Sequence, residues 1–305
     1  MSRLIILVSG SCGAAVGSLL TAASLGFWDQ QVPPPGLPRV QAAVPVSPGT
    51  VLEPAVSPGG VEVKTTRTSQ IMRLGFPSTA NLRSYQDFVL SYDTRNRVPN
   101  WVFEHLTFDR IQKNPGVDRA KCEFKEDTSF HEYFRANNKD YKGSGFDRGH
   151  MAAAGNHWIS QDACDETFYL SNIAPQVGKG FNRDSWNRLE KYVRSLTKRY
   201  DNVYVCTGPL YLPAYHEDGN KYVSYRVLGS NHVAVPTHFF KLVVGERNNG
   251  DLDLEAYVMR NAEIDDKIPL HHFQVPPDTI ERASGLLFFS AVHRSKFKSI
   301  NGKPL

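Results

Sequence analysis

One imidazole, two carboxamides and a carboxylate are spaced in this chain as a hydrolytic centre needs them. His150 closes Asp147-Arg148-Gly149-His150, Asn172 lies in Leu170-Ser-Asn-Ile-Ala-Pro-Gln176, and Asn182 and Glu190 bracket Asn182-Arg-Asp-Ser-Trp-Asn-Arg-Leu-Glu190. A histidine of ordinary pKa, about 6.5, is mostly neutral around neutral pH and can take a proton from water without a large shift. An amide oxygen is a hard ligand suited to magnesium, which prefers oxygen donors, octahedral geometry and retained waters. Because the amide is uncharged, the ion keeps its full positive charge for a phosphate, and a nearby Glu190 can orient bound waters from behind. These residue types suit hydrolysis of a phosphodiester assisted by one hard metal ion.

Each residue also has a plainer reading. His150 is one of 10 histidines, Asn182 suits a helix N-cap, and Glu190 suits an i,i+4 partner of Arg194. The surroundings favour chemistry: Gly143, Gly145 and Gly149 free the backbone around His150, and Asp147 is placed to fix its strand. At about 100° per residue, Asn182 and Glu190 differ by a net rotation of roughly 80°, which puts them on neighbouring strips of one helix.

The elements that position these groups are legible in outline. Trp186, Leu189, Val193, Leu196 and Tyr200 recur at helical spacing behind the capping types Asn182, Asp184 and Ser185. Phe88 to Asp93 and Trp101 to Leu106 are β-rich runs around turn chemistry, which predicts a hairpin. Further strands are expected at Val203, His232, His238 and Leu254, a second helix at Thr279 to Leu286, and a strand at Leu287 to Ser290. Strands and helices do not alternate regularly, so the expected class is α+β, a mostly antiparallel central sheet flanked by helices.

Composition bounds the rest. Lys and Arg exceed Asp and Glu by only 35 to 31, a balance that permits a polyanionic partner without demanding one. The bias is local: residues 178–200 carry seven basic residues against Asp184 and Glu190. Lys and Arg contacts to phosphates supply most sequence-independent affinity for nucleic acid, and nothing in the chain matches a base-reading motif. Cys12, Cys122, Cys164 and Cys206 are too scattered for a zinc ribbon or a disulfide scaffold and read as buried free thiols. Residues 1–31 read as a targeting leader or signal anchor, since Leu4 to Trp28 contains no charged residue. Residues 32–70 read as a Pro-rich linker, 71–295 as the folded domain and 296–305 as a basic tail.

Together the three motifs, with Arg95-Asn-Arg-Val-Pro-Asn100 and Tyr204-Val-Cys-Thr-Gly-Pro209, resemble the DNA/RNA non-specific nucleases of the ββα-metal (His-Me finger) type over about residues 73 to 294. The resemblance implies His150 as general base, Asn182 as the sole protein ligand of Mg2+ (with Mn2+ as a substitute) and Glu190 as the group that orients water. It implies Asn172 as a group placing the histidine or the phosphate, and Arg119, by the order of flanking residues, as a transition-state contact. Arg148, Arg183, Arg188 and Lys191 are the expected nucleic-acid contacts. It also implies action on DNA and RNA with 5′-phosphate and 3′-hydroxyl products, and a homodimer in the mitochondrial intermembrane space. The expected role is DNA breakdown in cell death or turnover of mitochondrial DNA; no residue pattern points to a particular protein inhibitor or activator. Two rivals remain: a relative that only binds nucleic acid would need a broken His150 or Asn182, and both are intact. A phosphodiesterase for small nucleotides would need a closed pocket and binding indifferent to salt.

Overall fold

The structure, a computed structural model, describes residues 66–305. The leader and most of the Pro-rich segment lie outside the described residues. Apart from two ribbons of two-residue strands, Ala214–Tyr215 with Lys221–Tyr222 and Val227–Leu228 with Val233–Ala234, the strands in chain order are β1 (Leu82–Ser84), β2 (Phe88–Asp93), β3 (Val98–Leu106), β4 (Asp147–His150), β5 (Ile173–Gln176), β6 (Asn202–Leu210), β7 (His238–Glu246), β8 (Leu252–Arg260), β9 (Phe297–Ile300) and β10 (Lys303–Pro304). All but β4 and β5 join one eight-stranded sheet, ordered β1-β2-β3-β6-β7-β8-β9-β10. Every pair in it is antiparallel except β8 with β9. β4 and β5 form a separate antiparallel ribbon. The helices are α1 (Arg67–Ile71), α2 (Asn138–Tyr141), α3 (Gln161–Glu166), α4 (Trp186–Leu196) and α5 (Pro277–Ser284).

Side chains alternate across a strand, so each long strand feeds two cores. β7 sends Phe239 and Val243 to a core shared with Trp186, Leu189, Val193 and Leu196 of α4. It sends Phe240, Leu242 and Val244 to a second core that includes Ile71 of α1 and Ile280 of α5. With both faces covered, the strands read as nearly continuous apolar runs. That leaves the few inward-facing charges, Glu104 on β3 and Lys241 on β7, conspicuous: they are 0% and 2% exposed.

Four expectations need correction. The fold does not begin at Ile71: the Thr66 hydroxyl caps α1, and Arg67 donates to the buried Asp87 from Nε at 2.9 Å. Residues 296–305 are not a tail, because Phe297 and Ile300 pack on the second core and β9 and β10 extend the sheet past β8. Two apolar positions among lysines carry too little signal; the open edge of β8 makes the strand. Leu287 to Ser290 is not a strand, since Phe289 takes a positive φ of 57° and turns its ring into the second core. Asn182, Asp184 and Ser185 do not cap α4; Gly178 to Ser185 form an irregular turn in which Asp184 accepts from Gly180 N.

The placement of α1 carries a prediction. A chain starting near residue 62 should keep full activity, whereas one starting at Met72 should lose about 2–5 kcal/mol of stability, because it removes the buried Ile71 from the second core and takes Arg67 from a buried carboxylate that keeps Arg110 and His157. Thermal melts of the two chains check this; equal midpoints would remove α1 from the folded unit.

Candidate active site

The ribbon pairs His150 with Ile173 and Asp147 with Gln176, and the chain then runs through the Gly178–Ser185 turn into α4. This is a β-β-α finger laid against one face of the sheet. Two glycines are required by space. A Cβ on Gly149 would fall 2.1 Å from Gln176 Oε1, and one on Gly180, already at φ 79°, would fall 2.4 Å from Glu263 Cγ.

Asp147 fastens the turn to the ribbon. It accepts from Arg183 Nε (2.8 Å) and Nη2 (2.6 Å), and from Asn182 Nδ2 at 2.9 Å. The Arg183 hydrogen bond, against some burial, keeps the Asp147 carboxyl below the usual carboxylate range. With its nitrogen committed to Asp147, the Asn182 side chain keeps Oδ1 as its free end. Arg183 is therefore spent largely on Asp147 rather than on an external phosphate.

His150 sits on the wall of a cavity of about 880 Å³, together with Asn182 and Glu190. Phe168 meets its ring edge-on at 4.7 Å and Phe124 at a tilt at 5.3 Å. Its Nε2 is buried and meets no partner among the described residues, which leaves Nδ1 as the nitrogen on the cavity side. Burial, and then the positive charges of Arg119, His157 and Arg148, push its pKa down to about 3, so the imidazole is neutral. Burial pushes the Glu190 carboxyl up, opposed by Lys241 and Arg194.

Asn172 fits the first of the two roles implied for it. It is 0% exposed and its side chain serves backbone only: Oδ1 accepts from Ala152 N at 2.9 Å, and Nδ2 donates to Ala152 O (3.0 Å) and Thr167 O (2.8 Å). It fixes the segment just after His150 and does not line the cavity, so it positions the histidine rather than meeting a phosphate.

Arg119 does line the cavity. The stretch that carries it is held against α3 by Asp118 N donating to Gln161 Oε1 at 2.8 Å and by the Cys122 and Cys164 thiols, 3.3 Å apart. Arg148 lines it too, stacked over Phe124 at 4.2 Å and donating to Asn138 Oδ1 at 2.6 Å. Arg188 and Lys191 do not line it. Helical geometry is the reason: 187, 190 and 194 form the stripe of α4 that faces the cavity, while 191 and 188 lie roughly 70° and 130° round the axis from it. Arg188 is instead tied to the carbonyls of Asp266 and, at 2.6 Å, Ile268. Arg194 takes the place expected of them.

Behind the cavity lies a cluster that the motif reading missed. His157, 0% exposed, has Nδ1 3.0 Å from Asp87 Oδ2 and Nε2 3.0 Å from Glu104 Oε1. Burial pushes an imidazole down, but the bonds to both carboxylates outweigh it and hold His157 up at about 9. Lys241 donates to Thr207 and lies 4.9 Å from the Trp186 ring centre. The available signal was an isolated charge at an inward position of an apolar strand, as in Phe103-Glu-His and Phe240-Lys-Leu.

A pH effect follows. Because the folded value of His157 lies above its ordinary 6.5, its contribution to stability is complete below about pH 6.5 and fades as pH rises through about 9. Melting temperatures across that window should fall more in the wild type than in a His157→Gln, Glu104→Gln variant. Parallel curves would mean that His157 is not charged in the fold.

Comparison with known proteins agrees with this geometry. Residues 67–295 match the model of the DNA/RNA non-specific endonucleases. The chain belongs to this family. It is 49% identical over 270 residues to the mitochondrial endonuclease G of Caenorhabditis elegans, covering 87% of this chain and 88% of that protein. It is 56% identical over 219 residues to that of Homo sapiens, covering 72% and 73%. Among solved structures, EndoG from the crystal structure of the EndoG/EndoGI complex superposes with a TM-score of 0.78 at 59% identity, covering 80% of this chain and 99% of that one. The protein is a DNA/RNA non-specific endonuclease, and the family is metal-dependent. The side chains fit a hard cation: Asn182 Oδ1 is free, and Glu190 presents a carboxylate to the same cavity without a hydrogen-bond partner among the described residues.

Proposed function

We propose that this endonuclease cleaves DNA and RNA to 5′-phosphate and 3′-hydroxyl ends, using Mg2+ held by Asn182, with Mn2+ able to replace it. The observation that carries the reading is that Nδ1 of a neutral His150 opens on the same wall as Asn182, Glu190, Arg119, Arg148 and Arg194.

In this reading His150 Nδ1 accepts the proton of the attacking water, and the phenylalanine rings hold the imidazole in place. A base of so low a pKa is weak in the free enzyme; burial lowers it most, and the field of Arg119, His157 and Arg148 adds to the effect. An anionic phosphate on those arginines offsets the field and raises the basicity of His150 when substrate is present. Arg119, Arg148 and Arg194 bind the phosphate oxygens, and Glu190 orients water beside Asn182. A metal ion held by Asn182 would supply charge neutralisation at the phosphoryl group and the leaving oxygen. Contacts through phosphates carry no base information, in keeping with action on both nucleic acids.

By analogy with the mitochondrial endonuclease G relatives, we place the enzyme in the mitochondrion, in the intermembrane space after removal of the leader, as a homodimer. Its role is then apoptotic DNA degradation or turnover of mitochondrial DNA. The EndoG/EndoGI complex supports a protein inhibitor acting on this chain. The test is cleavage of supercoiled plasmid and of a structured RNA with Mg2+ or with EDTA. Both substrates should be cut only with the cation; cutting in EDTA, or of mononucleotide diesters alone, would overturn the reading.

A further inference from the structure

Arg194 reaches the cavity from the third turn of α4, on a long stem with several free torsions, yet it is gripped from behind. Its Nη1 donates to Asn156 Oδ1 at 2.9 Å, and it makes no other side-chain hydrogen bond among the described residues. Asn156 is 3% exposed, and its Nδ2 donates to Glu104 Oε1 at 2.8 Å. The same oxygen accepts from His157 Nε2, whose Nδ1 donates to Asp87, which in turn is paired with Arg67 and Arg110. A continuous line of hydrogen bonds thus runs from α1, through the sheet, to the cavity wall.

We propose that Asn156, anchored on the Glu104–His157–Asp87 ion cluster, is a positioning residue that fixes the Arg194 guanidinium for the phosphate. The amide can point only one way. Flipped, it would set its oxygen against the Glu104 carboxylate and its NH2 against the guanidinium, two repulsive contacts in a buried site. Oδ1 is therefore always aimed at Arg194. Both ring nitrogens of His157 face carboxylate oxygens, so the ring serves as a doubly donating cation, and Glu104 Oε1 is held still for Asn156. One of the five N–H donors of Arg194 is used in this grip, and four remain for a ligand. Gly155 allows the approach, since a Cβ there would stand 3.2 Å from Arg194 Nη1. Fixing the stem before substrate arrives removes the entropy of ordering it from the barrier.

The inference rests on the reading that Arg194 meets the phosphate, and the experiment separates the two. Single-turnover cleavage of plasmid is measured for Asn156→Ala, Arg194→Gln and the double variant of the full chain, with cooperative thermal melts as the check on folding. Asn156→Ala leaves the His157 ion pairs intact and should lower kcat/KM by about tenfold or more, since misplacement of about 1 Å can cost up to about 10²-fold. On the Arg194→Gln background the same change should cost less than about twofold, because the group it positions is already gone. Asn156→Ser, which keeps a donor for Glu104 but cannot reach Arg194, should behave alike and serves if the alanine variant does not fold. Equal losses in both backgrounds would mean that Asn156 acts through the fold at large and would overturn the proposal. So would a wild-type rate for Asn156→Ala beside a slow Arg194→Gln, with the phosphate reading left standing. A wild-type rate for Arg194→Gln would overturn both.

Discussion

Replacing His150 with alanine is expected to lower the single-turnover rate of plasmid cleavage by roughly 10²–10⁴-fold, the usual contribution of a general base. Affinity for the same DNA should stay within a few-fold. The separation follows from the site: the imidazole contacts Phe124 and Phe168 and makes no side-chain hydrogen bond among the described residues, whereas the positive charge that attracts DNA is carried by Arg119, Arg148 and Arg194. Removing a neutral ring leaves that field intact and takes away only an interaction made in the transition state. Gel-shift binding in EDTA beside cleavage in Mg2+ reads the two effects separately. If binding falls as far as cleavage, His150 is holding the cavity together rather than moving a proton.

Asn182→Ala is expected to abolish cation-dependent cleavage while the protein still melts cooperatively. Asp147 keeps both bonds to Arg183 in that variant, so the turn remains fastened to β4. Asn182→Asp is the more informative change. It preserves an oxygen for the cation, but it exchanges a donor 2.9 Å from Asp147 Oδ2 for a second carboxylate. Two like charges at that distance repel, so the aspartate variant should recover part of the activity only at raised Mg2+, with slower turnover because the site carries an extra negative charge. Mg2+ titration by calorimetry and the Mg2+ dependence of cleavage measure both variants. Wild-type cleavage by the alanine variant at low Mg2+ would remove Asn182 from the metal site.

The sequence by itself brought out the side-chain types of the finger. His150, Asn182 and Glu190 are recognisable because a hydrolytic centre needs those side-chain types within a short span, and ribbon, turn and helix are contiguous in the chain. Helical periodicity located Trp186, Leu189 and Val193, because a helix against a sheet must bury one stripe. β-rich apolar runs located β2, β3, β6, β7 and β8, because strands covered on both faces are apolar almost throughout. What only the tertiary structure decided depends on partners far away in the chain. A count of basic residues treats Arg188, Lys191 and Arg194 alike, yet rotation about α4 sends Arg194 to the cavity and Arg188 to the carbonyls near Ile268. Local signal also stopped at Ile71 and Ser295, while α1 and β9 are held by Asp87 and by the edge of β8. His157 shows the limit most plainly. Its charge exists because Asp87 and Glu104, 70 and 53 positions away, converge on its two nitrogens in a buried site, and no spacing of letters records that convergence.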